Sequence, residues 1–517
     1  MLQVATISDL NVALELGEMT DSVQVTAQAP LLESASSTLG EVVNSRTTEA
    51  LPLNGRNVLQ LVALTPGIST TRSYRTATTG GGNIAAVGFS ANGGRNVANE
   101  VFLDGSSQIV MGFNQPAYVP SPDALQEFKV QTNALSAEYG RTGGAVINMV
   151  HRSGTKEFHG VLYEFLRNDI FDSNGFFNNR NGREKAPFRY NQFGFTLGGP
   201  LSRSRETTFF FLNYEAIRQI QPGETTLTVP TAKMKEGDFS EIAGTIYDPA
   251  TIDSAGRRQP FANNRIPSTR FDPVGVQILS YYPLPNKPAV SNNYFTQAGS
   301  RTTSNNVSAR IDRRVSSRQN FFGRFSWNDL DTDTANVFGN LASPDEGFNG
   351  VRNRSATLDD TALVAGWVLH GNYGYAYHAN PRDTDSQGFN LTSLGLPADF
   401  KAAAQFPIFP RVEPAGFAAL GPNPGWIIGN KFETHTWSAD ASRLLGTHTI
   451  KFGGAYRLNR VSNFRPNAPA GLFTFDEGWT RETFNGRTGG HAIASMLLGL
   501  PAGGRIQQEP VLGLQVV

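Results

Sequence analysis

From Phe158 onward, apolar and polar side chains alternate with a period of two. In Thr207–Arg218, Phe210, Leu212, Tyr214 and Ala216 fall on one face against Asn213 and Glu215. Val161, Tyr163 and Phe165 share a face, with Gly160 and Glu164 opposite, and Phe193, Phe195 and Leu197 oppose Gln192, Gly194 and Thr196. Asn305–Asn328 reads as a hairpin. Val307, Ala309, Ile311 and Val315 alternate with Ser308, Arg310, Asp312 and Arg314, and after Ser316–Ser317, Phe321, Phe325 and Trp327 alternate with Asn320, Arg324 and Ser326. The same rhythm returns at Tyr373–Tyr377, Trp437–Ala441 and Ile450–Leu458. This is the pattern of two-faced strands.

Before Phe158 the pattern differs. Residues 1–30 alternate weakly, as a strand, a turn and a strand, and Ala29–Gly40 is small and polar, a linker by composition. Arg46–Leu64 shifts to a short helix capped by Asn54 or Asn57, carrying Val58, Leu59, Leu61 and Val62 and stopped at Thr65-Pro66-Gly67. Ser69–Gly94 is a polar loop whose glycines lack the Gly-Lys-Ser/Thr of a phosphate loop. Val101–Gly105 is a strand running into an Asp-Gly turn. Pro122–Gly154 then joins the two styles of sequence: a strand through Phe128 and Val130, a Tyr139–Gly140 turn, and a second apolar run, Ala145–Val150.

Alternation alone also suits a soluble sandwich. Two features favour a membrane barrel. The polar faces carry full charges (Glu164, Arg310, Asp312, Arg314, Arg324), while Tyr163, Tyr214, Trp327 and Tyr456 sit near the ends of the apolar faces, where an interfacial girdle belongs. Connections also alternate in length: short at Gly199–Glu206, Ser316–Arg318 and Gly446, long at about 219–304, 329–359 and 378–432.

Composition narrows the field further. The 517 residues include 53 Gly and 35 Phe but no Cys, which excludes a disulfide scaffold and a thiolate metal site. Lys+Arg and Asp+Glu are both 44, so no overall field points to nucleic acid. No window approaches the ~18 uninterrupted apolar residues of a membrane helix, a test that barrel strands escape. MLQVATISDL lacks a basic start and an apolar core, so Met1 reads as an internal start of an exported chain. The seven His are scattered without metal-ligand spacing and no Gly-x-Ser-x-Gly elbow occurs, so no enzyme, metal or cofactor is expected.

LPLNGRNVLQLVALTPGI, then VFLDG, then EFKVQTNALSAEYGRTGGAVINMVHRSGTKEFHG, come in the order and spacing of a TonB-dependent outer-membrane receptor. The chain resembles its Oar-like group, which carries a carboxypeptidase-regulatory-like domain before the plug. The resemblance implies a mainly β fold: an N-terminal α+β plug domain followed by an antiparallel transmembrane β-barrel, here only part of one of ~22 strands. It divides the chain into the tail of a regulatory-like β-sandwich (1–30), the plug (36–153) and the N-terminal portion of the barrel (155–517), and the chain reads as a fragment. It implies location in the outer membrane of a Gram-negative bacterium and energy-coupled import of an unidentified ligand. The implied partners are outer-membrane lipid, an extracellular ligand and the TonB–ExbB–ExbD complex of the inner membrane. An adhesin or structural surface protein on the same scaffold is the alternative. In the family the plug apices contact ligand, which here points to Arg72, Tyr74, Arg75, Arg95, Gln108, Phe113 and Tyr118. Arginines suit anionic groups, and aromatics suit sugar or peptide faces. Glu127, Lys129, Glu138 and Arg141 are candidates for ion pairs between plug and barrel wall.

Overall fold

The computed structural model describes residues 39–44, 47–48, 51, 53–70, 89–111, 114–202, 207–344, 347–507 and 512–516. The segment expected to be the tail of a regulatory-like domain, 1–30, lies outside the described residues.

The first sheet is small and mixed. Its strands are β1 (Leu39–Asn44), β2 (Glu100–Leu103), β3 (Ser106–Ser107), β4 (Leu125–Asn133) and β5 (Val146–His151), in the spatial order β1-β4-β5-β2-β3. The pair β2/β5 is parallel and the others are antiparallel. A 3₁₀ helix, Val58–Leu64, packs on the sheet through Val58, Leu59, Leu61 and Val62, and the side chain of Asn57 caps it by accepting from the Leu59 amide at 3.0 Å. Phe128, Val130, Ile147 and Met149 complete this core, which takes no residue from beyond His151.

The second sheet is large, antiparallel and strictly in chain order. Its ten strands are β6 (His159–Asn168), β7 (Arg189–Pro200), β8 (Thr208–Gln221), β9 (Ser300–Ser316), β10 (Gln319–Asp333), β11 (Phe348–Val364), β12 (Trp367–Arg382), β13 (Ile428–Leu445), β14 (His448–Asn463) and β15 (Leu512–Val516). It does not close: β6 and β15 are its two edges. Registers run without a slip from β6 to β9, so one face stays consistently apolar. That face is exposed, with Phe325 52%, Phe452 61% and Tyr456 50% accessible, as side chains that meet lipid must be. On β12 it runs from Trp367 to Tyr375, about 27 Å of strand, or about 21 Å of height at the ~40° tilt usual in such barrels. Above it comes a charged collar, in which Arg354 bonds Asp329 at 2.6 Å and lies 5.4 Å from the Trp327 ring.

On one strand the two faces are the reverse of those expected from the alternation. On β6, Tyr163 pairs with Gly194, which pairs with Glu215, so all three point to the concave side. Tyr163 and Phe165 therefore face the plug, and Glu164 is exposed on the opposite side beside Phe193. The reason is local: Arg56 of the plug lies 4.6 Å from the Tyr163 ring and 4.8 Å from that of Phe165, so aromatic residues serve the concave face of this strand.

Strand connections alternate, with 317–318, 365–366 and 446–447 at one end and 169–188 (L1), 222–299 (L2), 334–347 (L3), 383–427 (L4) and 464–511 (L5) at the other. By the length rule for such barrels the long-loop end is extracellular. L2–L5 share their own hydrophobic core.

The plug–wall interface as candidate functional site

The contact between plug and concave wall is built on transverse rows of the large sheet. In one row Phe211, Arg310, Arg324, Thr357, Gly374, Thr436 and Arg457 stand side by side on consecutive strands. The next row towards the extracellular end holds Asn213, Ser308, Ser326, Ser355, Ala376, Thr434 and Asn459, all small or of medium size. The plug lies along these rows because the side chains of the second are short enough to let its backbone approach, while the arginines of the first reach out to bond it.

At the centre is Asp104. Asp104 and Gly105 form the two-residue turn between β2 and β3, with φ of 51° and 76°. Both are left-handed, the geometry that selects an Asp-Gly pair in a tight hairpin. The turn projects the Asp104 carboxylate onto two arginines that face each other across β9 and β10. Arg324 Nε donates to Oδ2 at 2.7 Å and Arg310 Nη1 to Oδ1 at 3.1 Å, and the His151 amide adds a third bond to Oδ1 at 2.9 Å. Two like charges directly opposed on a sheet repel, so Asp104 supplies the anion that allows them to be buried together. Arg324 is completed by Ser326 at 2.9 Å and Thr357 at 2.7 Å. Arg310 also pairs with Asp312 at 2.8 Å.

From this clamp the bonds spread sideways. Ser106 Oγ donates to Asn372 Oδ1 at 2.9 Å, while Asn372 Nδ2 donates to the Asp104 carbonyl and to Asp359. A Cβ on Gly374 would stand 2.5 Å from that of Ser106, so the wall needs glycine there. Arg457 bonds Glu100 at 3.0 Å. The His151 ring spans plug and wall, with Nδ1 2.9 Å from the Arg152 carbonyl and Nε2 2.8 Å from Ser308 Oγ. A carbonyl only accepts, so Nδ1 carries the proton and Nε2 accepts from Ser308. Burial drives this histidine down to about 4, against an upward pull from Asp104, and the neutral tautomer holds. At the opposite end Arg56 bonds Asp123 within the plug and Glu215 on the wall, the latter at 3.2 Å, and Tyr163 OH donates to Glu215 at 3.0 Å.

The candidates read from sequence are dispersed. Arg72, Tyr74, Arg75 and Phe113 lie outside the described residues. Arg95 is exposed in the turn after Phe89–Ala91. Gln108 and Tyr118 do not face open lumen: both are buried, Gln108 bonding the Ser106 carbonyl at 3.2 Å and Tyr118 OH bonding Asn306 at 2.9 Å on the wall. Glu138 pairs with Lys451 of β14 at 2.8 Å. Lys129 is buried, Glu127 half-buried and Arg141 exposed. Sequence reasoning missed the anchors Asp104, Glu100 and Arg56. The only signal for Asp104 was the turn itself, which explains the residue without invoking its charge.

The outer membrane beta barrel domain family matches residues 150–514. Over 135 residues, 25% of the chain is 30% identical to the TonB-dependent transporter Oar of Myxococcus xanthus, covering 12% of that protein. Among solved structures, the outer membrane transporter YddB from Escherichia coli superposes with a TM-score of 0.52 at 12% identity, over 84% of this chain and 50% of that one. The siderophore receptor PirA from Acinetobacter baumannii gives 0.47 at 14%, over 83% and 49%. The chain spans about half the length of these solved structures. An apolar convex face, a long-loop end and a family match across the whole large sheet agree: this chain belongs to the outer membrane beta barrel domain family and resides in the outer membrane of a Gram-negative cell.

Proposed function

We propose that this protein is a TonB-dependent outer-membrane transporter of the Oar-like group. It imports an extracellular ligand through a plugged barrel, energised by the TonB–ExbB–ExbD complex of the inner membrane. In this reading 1–30 ends a regulatory-like domain, 36–153 is the plug and 155–517 belongs to the barrel. The observation that carries it is the nature of the plug–wall contact. The plug closes its own hydrophobic core within residues 43–149, and the only apolar cluster shared between plug and wall among the described residues is a small one around Val110, Ala117, Ala376 and Phe432. Apart from ring contacts of Arg56 with Tyr163 and Phe165 and of His151 with Phe211, what else joins them among the described residues is mainly hydrogen bonds and ion pairs. Such bonds exchange for bonds to water at a net cost of only about 1 kcal/mol each, so a pulled plug can part from the wall without unfolding its core. A purely structural filler gains nothing from that arrangement.

Arg95, with Arg72, Tyr74, Arg75 and Phe113, remains the ligand-contact set of this proposal. Tyr118 instead ties the plug to the wall through Asn306, and Gln108 bonds within the plug. The test is uptake by cells producing the protein, offered a defined mixture of ferric chelates, oligosaccharides and oligopeptides. At least one compound is expected to enter energised cells and to stay outside when the TonB gene is deleted. Cells that take up none of them in either background, yet adhere to surfaces because of the protein, would instead establish the adhesin reading.

A further inference from the structure

L2–L5 are long enough to be independent flaps, yet their contacts tie them together. L2 joins β8 to β9 and L5 joins β14 to β15. Between β9 and β14 lie five strand steps, about 24 Å of rim at ~4.8 Å per strand. Across that gap L2 and L5 bond directly. The Asp272 amide reaches the Leu497 carbonyl at 2.7 Å, Tyr247 reaches Thr480 at 2.9 Å, and the amide of Gly490 reaches Thr245 at 2.8 Å. The buried Arg258 of L2 donates to the L5 carbonyls of Gly478 at 2.8 Å and Arg481 at 3.0 Å. Loops rooted that far apart on a concave rim meet only by arching across its mouth.

The other two loops are sewn into the same body. L4 adds a strand, Arg411–Pro414, parallel to Leu472–Phe475 of L5. L3 bonds L4 from the Ala342 carbonyl to the Gly421 amide at 2.8 Å, and L2 from Asn340 Nδ2 to the Tyr281 carbonyl at 2.9 Å. Two short helices meet at the centre: α1 (Pro273–Leu279) of L2 and α2 (Ala492–Leu497) of L5, whose six residues are all buried. They touch so closely that a Cβ on Gly275 would lie 2.1 Å from the Met496 carbonyl oxygen. A six-residue helix has no stability of its own. Phe239, Phe409 and Leu497, from three different loops, share one core.

We propose that L2, L3, L4 and L5 fold cooperatively as a single extracellular cap that roofs the lumen and opens as one body. The consequence for transport rests on the import reading: ligand reaches the plug only when the whole cap shifts. The cap itself is tested without any ligand, by hydrogen exchange on the full chain in detergent or nanodiscs. Leu497→Ala in L5 is expected to speed exchange in L2, L3 and L4 together, on the order of 100-fold, while β6–β14 stay protected. Phe239→Ala in L2 is expected to release the same four segments. Faster exchange confined to the substituted loop overturns the proposal. Should either variant lose the barrel as well, the unsubstituted protein decides, because one cap requires a shared opening free energy in all four loops and separate flaps require different ones. A cysteine in the plug turn that joins Ile109–Val110 to its antiparallel partner Gln115–Pro116, Asn114→Cys, tests the roof. A bulky polyethylene-glycol maleimide added from outside should label it much more slowly than a small maleimide, and Leu497→Ala should remove that difference. Equal labelling by both reagents in the otherwise unaltered chain contradicts a roof.

Discussion

Asp104 stands between the buried guanidinium of Arg324 and the half-buried one of Arg310, so its loss does more than delete one bond. Asp104→Asn keeps the size and the turn but leaves Arg324 without an anion, facing an Arg310 that retains only Asp312. Removing one partner of a buried ion pair costs about 3–5 kcal/mol, and the variant is expected to loosen plug docking by that order. Protease cleavage of the plug and denaturant titration of folded protein will measure it, and a loss below about 1 kcal/mol would mean that water already reaches the clamp. Nothing near Asp104 in sequence announces this role, because its arginine partners lie 206 and 220 residues away. The Asp-Gly turn was legible because turn chemistry is local; the ion pair was not, because strand register creates it. In the cap, His491 gives a second prediction. Burial lowers it to about 4, with Glu477 pulling the other way, and its Nδ1 accepts from the Ile493 amide at the start of α2. An unfolded imidazole takes its proton near 6.5, so cap stability is full above that pH and declines as pH falls towards 4. Cap exchange rates measured across this interval should rise on acidification, and His491→Gln should flatten the rise.

At the scale of the strand, period-two alternation identified the lipid face of β8, β9, β10, β12, β13 and β14 correctly, because lipid and lumen impose opposite demands on neighbouring residues. It failed on β6, where both faces carry apolar side chains, Leu162 and Leu166 on one and Tyr163 and Phe165 on the other. Period alone cannot choose between two apolar faces, and the Arg56 that settles the choice lies in another domain. The assignment makes a contrast testable. Phe325→Arg places a charge in the lipid band and is expected to cost about 2–4 kcal/mol of folding into vesicles, read as lost heat-modifiable mobility. A cost that small would leave the large sheet folded only at reduced yield, whereas an unaffected yield would mean that Phe325 does not meet lipid.

Over the whole molecule three bodies emerge: a plug with its own core, a wall with an apolar outer face, and a cap assembled from loops. The first two were legible, since motif order marked the plug and alternation marked the wall. The cap was not. Its core residues, such as Phe239, Ile246, Leu394 and Phe409, follow no helical or strand period, because irregular chain buries them wherever it turns inward. The reading of long connections as plain loops therefore missed a folded unit. In the proposed import reading, the plug is the gate of a passage and the polar seam along the Arg324 row is its latch. A reversible lock on that seam tests this most directly. Ser106 and Asn372 touch across it at 2.9 Å and the chain contains no other cysteine, so Ser106→Cys with Asn372→Cys provides a unique pair. Oxidised, the double variant should abolish energy-dependent uptake of whichever compound the defined mixture reveals, and reduction should restore it. Uptake that continues unchanged with the disulfide formed would contradict a moving plug.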